Sequence, residues 1–423
     1  MSVGNTPART RHALPPRRPL ADVRADFTVL SREFGGRRVA YLDSAATSQR
    51  PERVVAAMDR FQRESYAPIH RGVYELARES TEAFETARER IAAFVGWDAD
   101  TSIFTRNATE AINLVAYAWG RANVGPGDEV LISEMEHHSN IVPWQMLCED
   151  TGAKLRYLTL TEHAELSLDE LDSILAEGRV KVVAVAHVSN VLGTINPVSE
   201  IVRRARAAGA VSVIDGAQAV PQLPLDLREI DADFYAWTGH KALGPTIGLL
   251  HGRRELLKEM RPFLGGGHMI SRVEREHSTW NDLPHKFEAG TSAATEAVGL
   301  AAAVDYLDAI GMERVRAHER DLTTYALERL LEVEGIHLYG PSDLERRGGV
   351  VSFAIEGMHP HDIAELCDRE AVCVRAGHHC AQPLMRCLGV GSTARASFQV
   401  YNARDEVDRL VDALGKAREV FEL

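Results

Sequence analysis

Two short stretches of the chain hold side chains that could do chemistry together. The first, VRAGHHCAQPL at residues 374–384, places Cys380 behind two adjacent histidines and an Arg-Ala-Gly turn. A cysteine so placed could be a nucleophile, a metal ligand, a redox switch or plain filler. The second, FYAWTGHKALGPTIG, holds Lys241 in a tight turn directly after an apolar run. Most lysines are surface residues, but an amine confined in such a turn has the lowered pKa that a Schiff-base lysine needs.

Further polar residues follow apolar runs in the same way. Asp215 ends VSVID; it reads either as a cap or turn former, or as a buried carboxylate suited to a protonated pyridine nitrogen. His137 and His138 follow EVLIS. Neighbouring residues rarely point at one ion and no further ligand lies at helical spacing, so no metal site is expected, and one imidazole is better used stacked on a flat ring. Asn190 follows KVVAVAHV, and TRNATEAINLV (105–115) offers polar groups at a helix N-terminus, where backbone N–H groups and the helix dipole favour a phosphate.

The elements that must position these residues are short apolar runs alternating with helical patterns. Strands are expected at 102–105, 129–133, 181–188, 211–215, 233–237 and 247–252, with helices at 109–122, 167–178 and 199–209. This alternation implies right-handed βαβ units and a mostly parallel sheet covered on both faces. Ligands on such sheets gather beyond the carboxyl ends of the strands. After about residue 310 the pattern changes to a long helical stretch and shorter segments, which reads as a smaller α+β domain. The expected division is a disordered leader over 1–24, a large domain over 25–309 whose first residues can pack on the small one, and a C-terminal domain over 310–423 carrying the Cys380 loop.

Composition narrows the function classes. The net charge of −13 makes a poor platform for nucleic acid or anionic membrane. No apolar run approaches the ~18–20 residues of a membrane span. Five cysteines, an odd number with no CxxC pair, argue against a secreted disulfide framework and for a reducing cytoplasm.

The strand-ending VIDGAQ and the TGHK turn resemble the fold-type I pyridoxal-phosphate enzymes of the class V aminotransferase group. The likeness runs through YLDSAATSQRP, HRGVYELARES, FTRNATEAINLVA, MEHHSNIVPWQ, HVSNVLGTINP, FEAGTSA, RAGHHCAQPL and RASFQVYN. Together these motifs look like a group II, SUF-type cysteine desulfurase. The resemblance implies an α/β large domain with a mostly parallel seven-stranded sheet and a smaller C-terminal domain. It implies pyridoxal 5'-phosphate as cofactor and conversion of L-cysteine to L-alanine with a persulfide on Cys380, supplying sulfur for iron–sulfur cluster assembly. The alternatives are a selenocysteine lyase acting on L-selenocysteine, or another class V lyase or aminotransferase.

The roles it implies are specific. Lys241 would hold the cofactor and move the substrate's α-proton, Asp215 would pair with the pyridine nitrogen, His137 would stack on the ring and Gln218 would bind the phenolic oxygen. Thr109, Thr238 and His240 would bind the phosphate; relatives often carry a hydroxyl where this chain has Ala108, leaving backbone N–H there. Thr291 would reach the phosphate in the partner subunit of a homodimer. Asn190 and Arg395 would take the substrate carboxylate, with Arg375 beside them. Arg375, His378 and His379 would supply positive character near Cys380. GMHPHDIAEL resembles desulfurases served by a zinc-dependent, scaffold-like sulfur acceptor, in which His361 meets the acceptor; a SufE-type acceptor is the other possibility, and a capping role for these histidines is equally open.

Overall fold

The computed structural model describes residues 20–421. Seven strands form the central sheet: β1 Ser102–Thr105, β2 Glu129–Ser133, β3 Lys154–Leu158, β4 Val180–Ala186, β5 Val211–Asp215, β6 Phe234–Thr238 and β7 Gly248–Gly252. Their spatial order is β1-β7-β6-β5-β4-β2-β3. Only β7 runs against its neighbours, pairing antiparallel with β1 and β6; the other four pairings are parallel. The carboxyl ends of β1 to β6 therefore share one edge.

Alternation of side chains across the pleat explains why the strands are apolar throughout. Leu131, Val183, Ile214, Tyr235 and Trp237 enter one core, with Phe84, Ile201 and Leu300 from covering helices. Val130, Ile132, Val182, Val213, Phe234 and Ala236 enter the opposite core, against Ile112, Trp119 and Trp144. Burying each large aliphatic chain is worth roughly 1.5–3 kcal/mol, so both faces hold the sheet rigid.

β3 is a strand that the apolar pattern misses. It lies at the edge, and its KLRYL sequence is largely half-exposed, so it has only one neighbour and little need for apolar side chains. The helix expected over 109–122 is continuous but changes pitch: α-helix Ala108–Leu114 passes into a π-helical stretch, Val115–Gly120, before Arg121–Asn123.

In the C-terminal part, β8 Ile336–Tyr339, β9 Val350–Ile355, β10 Arg375–Gly377 and β11 Thr393–Ser397 form an antiparallel sheet in the order β8-β9-β11-β10. Its core gathers Phe353, Ile363, Leu322 and Leu410, joined by Ala40 and Leu42 from the beginning of the chain. Ala40–Tyr41 pairs in parallel with Val372–Cys373. Residues 1–19 of the expected leader lie outside the described residues. Its end is ordered: Leu20–Asp26 is a 3-10 helix, because Val23 is fully buried and Arg24 bonds the Glu406 carboxylate at 2.8 Å and the Val39 carbonyl at 2.9 Å.

Candidate active site

Beyond the shared carboxyl edge lies a cavity of about 230 Å³. β1 ends before Asn107, Ala108 and Thr109, β2 before His137, and β4 before Asn190; β5 contributes Asp215 itself and β6 leads from Thr238 into Lys241. Gln218, His240, Arg375, Cys380 and Arg395 complete the wall. Thr291 is exposed and His361 is exposed at the start of helix Pro360–Arg369; neither lines this cavity. His359 caps that helix, its Nδ1 accepting from the His361 N–H at 3.3 Å.

One end of the cavity suits a phosphate. Asn107 caps the helix beginning at Ala108, its Oδ1 accepting from the Glu110 N–H at 3.0 Å. That leaves first-turn N–H groups, the Thr109 and Thr238 hydroxyls and His240 facing one region. Gly248 makes this possible: a Cβ there would stand 2.3 Å from the Asn107 carbonyl carbon. His240 is anchored beside Thr47, 3.2 Å from its Nδ1 to the Thr47 hydroxyl, and burial and then Lys241 push its pKa down to about 4.

The centre is electrostatically unusual. Burial lowers the Lys241 amine to about 8, against the opposing attraction of Asp215. Burial holds Asp215 above the usual carboxylate range, while the Ala217 N–H, 2.9 Å away, and Lys241 pull it down. Burial, reinforced by Lys241, pushes His137 down to about 3. Its Nδ1 accepts from the Ser139 N–H at 3.1 Å, and the neutral ring lines the cavity. Gln218 is fixed by Nε2 donating to the Ala45 carbonyl at 2.8 Å.

The other end suits a carboxylate. Arg395 is buried, donating to the Asn190 carbonyl at 2.9 Å and to Asp43 at 3.1 Å, and its Nε has no hydrogen-bond partner. Asp43, which also faces Arg375 at 3.7 Å, is a member that sequence reasoning missed. It lies in YLDSAATS, a segment legible as entering the large domain but carrying no strand-end signal. Asn107 and Ser139 were missed as well; both flank residues that were found.

Cys380 reaches the cavity on a loop with two consecutive left-handed residues, His379 at φ +51° and Cys380 at φ +55°. Such backbone persists only where its surroundings fix it. Here the His138 N–H donates to the Cys380 carbonyl at 2.7 Å, and Asn190 Nδ2 donates to the His379 carbonyl at 2.7 Å. One expectation is corrected. His379 does not lend charge to Cys380: burial, then Arg395, pushes it down to about 3, and its Nε2 sits 2.9 Å from the Thr393 hydroxyl. The cations nearby are Arg375, Arg395 and Lys241.

Pyridoxal phosphate fits this donor set. A buried carboxylate with a single backbone donor suits a ring N–H⁺, a neutral imidazole suits a ring face, and the helix start with Thr238 and His240 suits the phosphate. The amine of Lys241 suits the carbonyl carbon, and the unpartnered Arg395 Nε awaits an anion.

Comparison with known proteins agrees with that arrangement. Residues 40–410 match the family model described as aminotransferase class-V. A probable cysteine desulfurase of Halobacterium salinarum is 50% identical over 402 residues, covering 94% of this chain and 96% of that protein. A cysteine desulfurase of Haloferax volcanii is 48% identical over 414 residues, covering 94% and 97%. Among solved structures, a cysteine desulfurase from Thermococcus onnurineus superposes with a TM-score of 0.89 at 38% identity, covering 95% of this chain and 98% of that one. The S-sulfonic acid form of cysteine desulfurase CsdA from Escherichia coli gives 0.88 at 37%, covering 96% and 100%.

Proposed function

The chain belongs to the aminotransferase class-V family, and we propose that it is a pyridoxal-phosphate-dependent cysteine desulfurase that passes the sulfur of L-cysteine to Cys380. The observation that carries this reading is that Cys380 and Lys241 line one cavity, between a carboxylate-binding end and a phosphate-binding end.

Bound there, pyridoxal phosphate supplies an electron-withdrawing ring that makes the substrate's α-proton labile. Lys241, Asp215, His137, Gln218, Thr109, the Ala108 N–H, Thr238 and His240 would hold it. Arg395 and Asn190 receive the substrate carboxylate, and Arg395 is already aimed by Asp43 and by the Asn190 carbonyl. Lys241, with a pKa of about 8, can hold or release a proton at Nζ near neutral pH, which suits it to carry the α-proton. The Cys380 Sγ attacks the substrate sulfur. An S–S bond forms as the substrate's C–S bond breaks, and the electron pair stays on the substrate carbon, which takes up a proton and leaves as alanine. Cysteine plus one thiol thus becomes alanine plus one persulfide, with no external oxidant or reductant.

The SUF-type assignment, the homodimer, the cytoplasmic setting and the supply of sulfur to iron–sulfur cluster assembly belong to the same proposal. So does a division into a large lobe over 25–309 and a small lobe over 310–423. Thr291 supports the dimer, since its exposed position outside its own cavity is what service to a partner's site requires. A half-buried persulfide on a braced loop needs an acceptor protein that reaches in, and the exposed pair His359 and His361 offers such a protein a contact. No helix among the described residues is long and apolar enough to cross a membrane. Replacing Cys380 with Ser tests the reading: persulfide and alanine formation from L-cysteine should stop, while the bound cofactor keeps its colour. Cysteine turnover left intact in that variant would contradict the role of Cys380, and selenocysteine turnover that persists there without cysteine turnover would favour the lyase alternative.

A further inference from the structure

Outside the cavity lining, three histidines from three segments converge. His70 lies in the turn before helix Glu75–Phe94, His268 follows the glycines 265–267, and His285 opens the short helix His285–Phe287. One ring nitrogen from each lies within 4.8 Å of the other two. Among the described residues this is the one group of three or more histidine, cysteine or carboxylate side chains so disposed. None of the three lines the active-site cavity.

The free nitrogens are what make the cluster unusual. His268 Nε2 and His285 Nδ1 are buried atoms without a hydrogen-bond partner, and His70 Nε2 faces only the Glu85 carboxylate, at 3.3 Å. Buried polar atoms are nearly always partnered, so three together in contact call for a shared partner. The rings stand close, with centroids 4.7, 4.8 and 5.1 Å apart. His70 is fixed by its N–H donating to Thr81 at 2.8 Å, and His268 by its carbonyl accepting from Asn281 at 3.2 Å.

We propose that His70, His268 and His285 bind a divalent transition cation of the zinc class. Three imidazoles suit a borderline cation in tetrahedral geometry, with a water in the fourth position. Nitrogens 4.8 Å apart lie within about 2.8 Å of a common centre, so small rotations bring them to the ~2.0–2.1 Å of a zinc–imidazole bond. The ion would tie the segment around His268 and His285 to the turn that carries His70. No sequence spacing announces such a site, because the ligands come from distant stretches of chain; the expectation that the protein has no metal site is revised by this proposal.

The test uses the cofactor-loaded enzyme equilibrated with micromolar zinc, with metal content measured after gel filtration. One zinc per chain is expected, with X-ray absorption giving nitrogen and oxygen neighbours at ~2.0–2.2 Å. Zinc should raise the melting temperature by about 3–8 °C. His268→Gln and His285→Gln should each lower zinc content at least tenfold and abolish the zinc-dependent shift. Zinc below a tenth of an equivalent in the parent, sulfur neighbours at ~2.3 Å, or undiminished zinc in both variants would overturn the proposal. If the variants fail to fold, the absorption measurement on the parent decides alone.

Discussion

Asn190 joins the carboxylate end of the cavity to the nucleophile's loop. Its Nδ2 donates to the His379 carbonyl at 2.7 Å, and its own main-chain carbonyl accepts from Arg395 at 2.9 Å. Replacing Asn190 with Ala removes the donor that braces the residue before Cys380. A buried carbonyl left unpaired costs about 1–3 kcal/mol, so kcat/KM for L-cysteine should fall roughly ten- to a hundredfold. Steady-state alanine formation checks this, with a fall in kcat as well as a rise in KM, because loop and substrate site are both disturbed.

Arg395→Lys should act mainly on KM. Lysine keeps the charge but not the planar fork that contacts Asp43, the Asn190 carbonyl and an incoming carboxylate together. Loss of charged hydrogen bonds worth about 1.5–3 kcal/mol predicts a rise in KM of roughly ten- to a hundredfold. Cofactor absorbance should be retained, since the phosphate and ring contacts lie on other strands.

Lys241 sets the pH dependence. A base must be unprotonated to accept the α-proton, so activity should rise with pH through about 8 and level above it. Below that point the neutral fraction falls about tenfold per pH unit. A kcat/KM profile measured from about pH 6 to about pH 9.5 shows this, and Lys241→Arg, which cannot lose its proton, should be inactive.

His251, on β7, is one of the buried histidines that make stability acid-sensitive. It is buried between the Ser102 hydroxyl, 2.8 Å from Nδ1, and Trp237, whose Nε1–H donates to Nε2 at 2.8 Å, and burial pushes it down to about 3. The unfolded chain takes up a proton near pH 6.5 while the folded one does not. The stability this residue contributes is therefore complete above pH 6.5 and is lost as pH falls toward 3, at about 1.4 kcal/mol per pH unit. Denaturant unfolding at several pH values should show His251→Gln, which keeps both hydrogen bonds but not the titration, to be less acid-sensitive by that slope.

Much of this architecture was legible because its physics is local. Strands covered on both faces must be apolar, and functional residues at the shared edge must follow them directly; Asp215, Lys241, His137 and Asn190 all obey that rule. β3 was not legible, because an edge strand needs no apolar run. Asp43 was not, because it enters through pairing of Ala40–Tyr41 with a strand more than three hundred residues away. Adjacent His378 and His379 looked equivalent in the sequence. Left-handed backbone at His379 turns it inward onto Thr393, and burial removes its charge. The histidine cluster at 70, 268 and 285 lies beyond any spacing rule.

Transfer of the substrate sulfur to Cys380 is the central step. The direct measurement is the mass of the Cys380 peptide after the cofactor-loaded enzyme meets one equivalent of L-cysteine without reductant, with alanine quantified in the same sample. The expected result is one added sulfur on that peptide for each alanine released, and neither product in Cys380→Ser. Stoichiometric alanine from Cys380→Ser, or the added sulfur on Cys148, Cys367, Cys373 or Cys387 instead, would contradict it.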